Sequence, residues 1–203
     1  MARLNRDDVD RFHDYGIYIP KRTIFMGSEE VSIESGESGT DSAMAESTIK
    51  NLTILEALSS EPITIIMNNI GGDEYHGLAI YDAIKACKSH VKIIVMGHAM
   101  SMGSIILQAA DERVMSARSS QMIHYGQWSF DGHAKTGQKW AKEFDRLDSW
   151  MEQLYLSRIQ ERVPEFNIKK LKTMLNHDTF MSAEQSIELG LADSILDEPA
   201  SIK

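Results

Sequence analysis

"PITIIMNNIGGDEYHGLAIYDAIKACKSHVKIIVMGHAMSMGSIILQAAD", residues 62–111, carries the pattern that decides the fold. Its first run, PITIIMNN, has strand length and almost no polar interruption, which predicts a strand buried on both faces of a parallel sheet. Gly71 and Gly72 punctuate it. EYHGLAIYDAIKAC then spaces its apolar residues as a helix does, VKIIVMG reads as a second buried strand, and SMGSIILQAAD opens a second helix. A short strand, QMIHY, follows. Strand, helix, strand, helix, strand is the alternation of an α/β parallel sheet with right-handed crossovers.

Outward from this centre the signals continue. KRTIFMGS reads as a short strand closed by Gly27, and SEEVSIESGESGTDS as a loop or hairpin tip. SAMAESTIKNLTILEAL places Met44, Ile49, Leu52, Leu55 and Leu58 near helical spacing. In residues 134–163, Trp140, Phe144, Leu147, Met151 and Leu154 step by four, three, four and three, which predicts a long helix with one apolar seam, ended by Pro164. Such a seam packs either on another subunit or on its own domain. Near the C-terminus, Ser182 and Gln185 form a capping box and Gly190 a helix stop.

A chain of 203 residues fits one domain, 1–203, with a core of its own. The formal charge of -9 argues against a nucleic-acid partner, because such binders concentrate Lys and Arg. The basic run IKKLK reads as a solvated helix face. One cysteine, Cys87, allows no internal disulfide and fits a reducing cytoplasm. Residues 93–110 lack Asp, Glu, Lys and Arg, but Gly, Ser, His and Gln interrupt them, so no membrane span is expected. The N-terminal MARLNRDDVDRF does not have the form of a secretory signal.

For chemistry, a Lys-bearing P-loop, a G-x-G-x-x-G fingerprint and H-E-x-x-H are all missing, and the seven histidines are scattered, so neither metal nor cofactor is expected. What remains is Ser101, between Met100 and Met102 and before Gly103, at the junction of strand and helix. A serine there serves as an ordinary N-cap, or as a nucleophile whose developing charge faces free N–H groups. A nucleophile needs a base and an orienting group. His124 ends a strand expected beside the one that delivers Ser101, and Asp178 is a loop carboxylate next to apolar Phe180, expected to be partly buried. Gly71 and Gly72 could bring bare backbone to a ligand, and the N–H of Met102 is the other natural oxyanion donor. The chain order Ser, His, Asp weighs against the α/β-hydrolase fold.

MNNIGGDEYHGLAIYDAIK, MGHAMSMGSIILQAADERVMSARSSQMIH and HDTFMSAEQSIELGLADSIL together resemble the ClpP family of self-compartmentalising serine peptidases, and KRTIFMGS looks like that family's first core strand. The resemblance spans roughly residues 12–198. It implies a crotonase-like repeated β-β-α spiral with a protruding handle, matched by residues 134–163. It implies Ser101 as nucleophile, His124 as general base and acid, Asp178 as orienting carboxylate, and Gly72 and Met102 as oxyanion donors. Gly71, Asp73, Tyr125 and Gly126 would lie at the substrate. Two stacked heptameric rings, peptide or unfolded-protein substrates and a Clp-type AAA+ unfoldase follow from the same resemblance.

This chain departs from the family pattern at several places. Ile70 stands where Pro usually precedes the Gly pair, Tyr125 and Gly126 replace Gln-Pro, and His98 and Met100 replace Gln and Ala. These positions are expected to line the substrate cleft. VSIESGESG looks like an insertion, and the segment before Phe12 is shorter than the family's axial pore loop. Two other functions keep the same fold: a non-enzymatic scaffold or regulatory ring subunit, and a crotonase-type acyl-CoA enzyme. The presence of all three triad residues speaks against both.

Overall fold

The computed structural model describes residues 5–27 and 39–196. Along the chain run α1 (Arg6–Tyr15), β1 (Ile17–Tyr18), a 3-10 turn (Ile19–Lys21), β2 (Thr23–Gly27), α2 (Ser42–Leu58), β3 (Ile63–Asn69) and α3 (Glu74–Ala86). Then come β4 (Val91–Met100), α4 (Met102–Leu107), β5 (Glu112–Met115), β6 (Ser120–Ile123), α5 (Ala134–Arg162), α6 (Ile168–Leu175), β7 (Thr179–Ser182), α7 (Ala183–Leu189) and β8 (Ser194–Ile195). The expected Ser-, Gly- and Glu-rich loop, with its insertion, lies mostly outside the described residues.

Strands β2, β3, β4 and β5 pair in parallel, and their register builds the core in rows. Ile24, Ile65 and Ile93 align across three strands, and Met26, Met67, Val95 and Met115 across four. All seven are at most 1% exposed, packed with Leu55 of α2 and Ile80 and Ile84 of α3. Each such side chain contributes about 1.5–3 kcal/mol by leaving water.

The opposite face corrects the expectation of a strand buried on both sides. Phe25, Ile66 and Ile94 form the alternate row; Phe25 is 42% exposed and the two isoleucines are half-buried. Met96, two residues beyond Ile94, is 39% exposed. Hydropathy alone does not separate a strand covered twice from one covered once.

β4 serves two partners. Lys92–Val95 pair with β5, and His98–Met100 pair with β6. Between these halves Gly97 has φ 95°, and a Cβ there would meet Asn68 Oδ1 at 2.5 Å, so the bend requires glycine. The β3–β4 register shifts at the same level. This branch lets the end of β4 run on between β3 and β6.

The long helix resolves the seam question by halves. Leu147, Met151, Tyr155 and Ile159 are buried in the chain's own core, whereas Trp140 is 41% exposed. At the exposed end Trp128 stacks on Phe144 at 5.1 Å, with Trp140 6.0 Å from the same ring. At about 1.5 Å per residue, its 29 residues extend roughly 43 Å. The capping box at Ser182 and Gln185 and the Gly190 stop are both present, with Gly190 at φ 85°. Among the described residues no helix is long and apolar enough to cross a membrane.

Candidate active site

Ser101 holds the turn between β4 and α4 with φ 50° and ψ −121°, one of two non-glycine residues with positive φ among those described. Such a conformation costs on the order of 1–3 kcal/mol and persists only where its surroundings fix it. Here the Ser101 N–H donates to the Met122 carbonyl at 2.9 Å. Its own carbonyl accepts from the N–H and the hydroxyl of Ser104, at 3.0 and 2.8 Å. Ser104 is hydrogen-bonded in turn to the buried Tyr155 hydroxyl of α5.

The Ser101 hydroxyl makes no capping bond to α4. It lies 2.8 Å from His124 Nε2 instead. His124 Nδ1 is 2.8 Å from Asp178 Oδ1. The strands explain the convergence. Met100 and Met122 are register partners of β4 and β6, so Ser101 and His124 follow at neighbouring strand ends. Ile123 pairs antiparallel with Thr179, which brings Asp178 beside His124. An ionised Asp178 accepts from Nδ1–H, which leaves Nε2 free to accept the serine proton. Asp178 departs from its expected burial: its side chain is 58% exposed, and Phe180 is 60% exposed. The reason is that β7 lies at the end of the sheet, with β6 as its one strand partner among the described residues.

The glycine pair is held by side chains the sequence reading did not single out. Asn69 Oδ1 accepts from the Gly71 N–H at 2.7 Å, and Asn69 Nδ2 donates to Thr40 Oγ1 at 3.1 Å. Thr40 brackets the pair, its N–H donating to the Gly71 carbonyl at 2.5 Å and its carbonyl accepting from Asp73 N–H at 2.7 Å. Both glycines need their lack of a Cβ, with φ 106° at Gly71 and 144° at Gly72. A Cβ on Gly71 would stand 2.6 Å from Ser101 Cβ. The N–H groups of Gly72 and Met102 donate to no described residue. Donors with no partner among the described residues, beside a hydroxyl hydrogen-bonded to histidine, suit attack on a carbonyl carbon.

A cleft of about 430 Å³ opens at Ser101 and His124. Gly72, Asp73 and Gly126 line it, as expected; Gly71 and Tyr125 do not, and neither do Ile70, His98 and Met100. The Tyr125 hydroxyl donates to Glu152 Oε1 at 2.5 Å, and Glu152 pairs with Lys172 of α6 at 3.0 Å. Burial and then that carboxylate raise the Tyr125 phenol well above its ordinary range. The sequence reading also missed the cleft's Glu74, Trp128, Phe144 and Asp148. Burial, then the charges of Asp148, Asp73 and Glu143, pushes Glu74 above the usual carboxylate range, against the opposing Arg146. Burial, then Glu152 and Asp145, does the same to Asp148, against Lys172.

A serine on a strained turn, a histidine bridging it to an aspartate and nearby N–H donors unpaired among the described residues define a site able to activate a hydroxyl. Comparison with known proteins narrows this class. The Clp protease family model matches residues 20–199, and the chain belongs to that family. An ATP-dependent Clp protease proteolytic subunit from Deinococcus radiodurans is 33% identical over 193 residues, covering 93% of this chain and 87% of that protein. A ClpP1 mutant from Listeria monocytogenes superposes with a TM-score of 0.74 at 24% identity, over 89% of this chain and 94% of that one. The fold is therefore the crotonase-like ClpP fold.

Proposed function

We propose that this chain is a single-domain serine endopeptidase, the proteolytic subunit of a Clp-type complex acting on peptides and unfolded proteins. The observation that carries this reading is His124 in hydrogen-bond contact with Ser101 and Asp178 at once, at 2.8 Å on each side. As the Ser101 hydroxyl attacks the peptide carbonyl, its proton passes to His124 Nε2, and Asp178 stabilises the imidazolium. The oxyanion lies against the N–H groups of Gly72 and Met102. Collapse breaks the C–N bond, His124 returns its proton to the leaving amine, and Ser101 carries the acyl group. Water, deprotonated by the same histidine, hydrolyses this ester and frees the serine.

Exposed Trp140 near the start of α5, with exposed Trp128 just before that helix, supports assembly through the handles into two stacked seven-membered rings. An AAA+ unfoldase would deliver protein substrates to the enclosed sites. The test is intact mass after exposure to a fluorophosphonate, with native mass alongside. One adduct on the wild type and none on Ser101→Ala supports the reading. A folded, assembled chain that takes no adduct, alone or with candidate unfoldases, overturns it.

A further inference from the structure

The cleft beside Ser101 has an unusual charge for an apolar pocket. Its walls include Met102, Ile105, Phe144 and Met151, yet among the described residues three carboxylates, Asp73, Glu74 and Asp148, also line it, and no Lys or Arg does. Asp73 is already engaged, because its side chain caps α3 by accepting from His76 N–H at 2.9 Å. Glu74 and Asp148 are half-buried and make no hydrogen bond or ion pair with any described residue. The nearby cations are committed elsewhere. Arg146 grips Glu143 through two bonds of 2.9 and 2.6 Å, and Lys172 pairs with Glu152.

Arg146 and Lys172 act on Glu74 and Asp148 only at a distance, and two partly desolvated carboxylates without a bonded countercharge weaken a folded chain unless something in use compensates them. A long cationic side chain fits both halves of this cleft. Its methylene stem would lie along Met102, Ile105 and Met151 and its charged head would meet the acids, as Lys and Arg do wherever an apolar path ends in a polar site. Phe144 and Trp128 add ring faces to which a cation is attracted. Because Gly72 and Met102, the oxyanion donors of the peptidase reading, line the same cleft, it borders the carbonyl to be attacked. The chain's formal charge of -9 favours the approach of basic segments as well.

We propose that Glu74 and Asp148 are specificity-determining residues that select a Lys or Arg side chain on the acyl side of the scissile bond. This inference rests on the peptidase reading above and names its substrate class. The test uses the full-length assembly and fluorogenic peptides that differ only in the residue before the reporter amine: Lys, Arg, Leu or Glu. The expected kcat/KM for Lys or Arg exceeds that for Leu by roughly tenfold or more, the scale of one satisfied charge pair at a partly exposed site. In the double variant Glu74→Gln with Asp148→Asn, the Lys-to-Leu ratio falls by about the same factor.

Native mass and melting temperature identify any variant that fails to fold, and the wild-type preference stands as a measurement independent of the variants. Wild type that cuts after Leu as well as after Lys overturns the proposal, and so does a ratio unmoved in the folded double variant. Fluorophosphonate labelling run in parallel separates the two levels. Labelled Ser101 without a Lys or Arg preference refutes the substrate class alone, and unlabelled Ser101 refutes the peptidase reading beneath it.

Discussion

Replacing Gly71 by alanine tests whether bare backbone is what allows Ser101 its position. The new Cβ would stand 2.6 Å from Ser101 Cβ, 2.9 Å from the Met100 carbonyl and 3.1 Å from Met102 N. Ordinary contact begins at 3.4 Å, so relief requires about 0.8 Å of movement at the serine. Gly71 itself cannot easily retreat, since Asn69 holds its N–H at 2.7 Å and Thr40 its carbonyl at 2.5 Å. Alanine at φ 106° adds strain of about 1–3 kcal/mol. A displacement near 1 Å at a reacting atom lowers rate by about a hundredfold. The assay is the second-order rate of fluorophosphonate labelling and peptide kcat, read beside circular dichroism and native mass. Labelling near the wild-type rate by a folded Gly71→Ala protein would refute the reasoning, because it would mean the turn has slack that the distances deny.

Two further substitutions test the supports of the site and of the fold. Tyr125→Phe removes one donor from Glu152, which is 8% exposed, and costs about 1–3 kcal/mol in urea unfolding; because Tyr125 follows His124 in the chain, the labelling rate of Ser101 falls with it, and stability lost without any change in labelling would show the contact to be structural only. At Asp193, burial raises the carboxyl but the side-chain and backbone bonds from Arg113 outweigh it, so its pKa is lowered in the folded chain. Its stabilisation is therefore present above the unfolded carboxylate pKa and lost as pH falls through the lower folded value. Asp193→Asn costs about 1–2 kcal/mol at neutral pH, below the cost of breaking a fully buried pair because the Asp193 side chain is 39% exposed. The deficit closes on acidification, and a constant deficit across the pH range would contradict the assignment.

What the sequence made legible follows from the range over which its signals act. The β3–α3–β4 unit, the α2 helix and the Ser182–Gln185 box are local patterns of period or capping, and each lies where its residues predict. β5 escaped notice because Glu112 and Arg113 look like surface residues; Arg113 is 6% exposed, its guanidinium held by Asp193 and the Gly190 carbonyl, both far along the chain, and by Gln108. α1 escaped for the opposite reason, since it buries no residue and announces itself only through the Asn5 cap and the Gly16 stop at φ 64°. Ser101, His124 and Asp178 were found as members of a familiar set, and the strand register brings the three together. Glu74 and Asp148 could not be found this way. They lie on α3 and α5, and nothing in either helix's own sequence says that the two share a cleft.

The part-exposed row of Phe25, Ile66 and Ile94, continued by Met96, bears on how this protein's stability could depend on its abundance. Contiguous apolar surface of that kind is the mark of a face meant to be covered. A cover that binds only the folded chain adds about 1.4 kcal/mol for each tenfold rise in its concentration above Kd. If the cover is another copy, a freshly made chain at low copy number is at its weakest, and its survival depends on how soon it meets its kin. Gene dosage and synthesis rate then become determinants of stability as real as any side chain in the core.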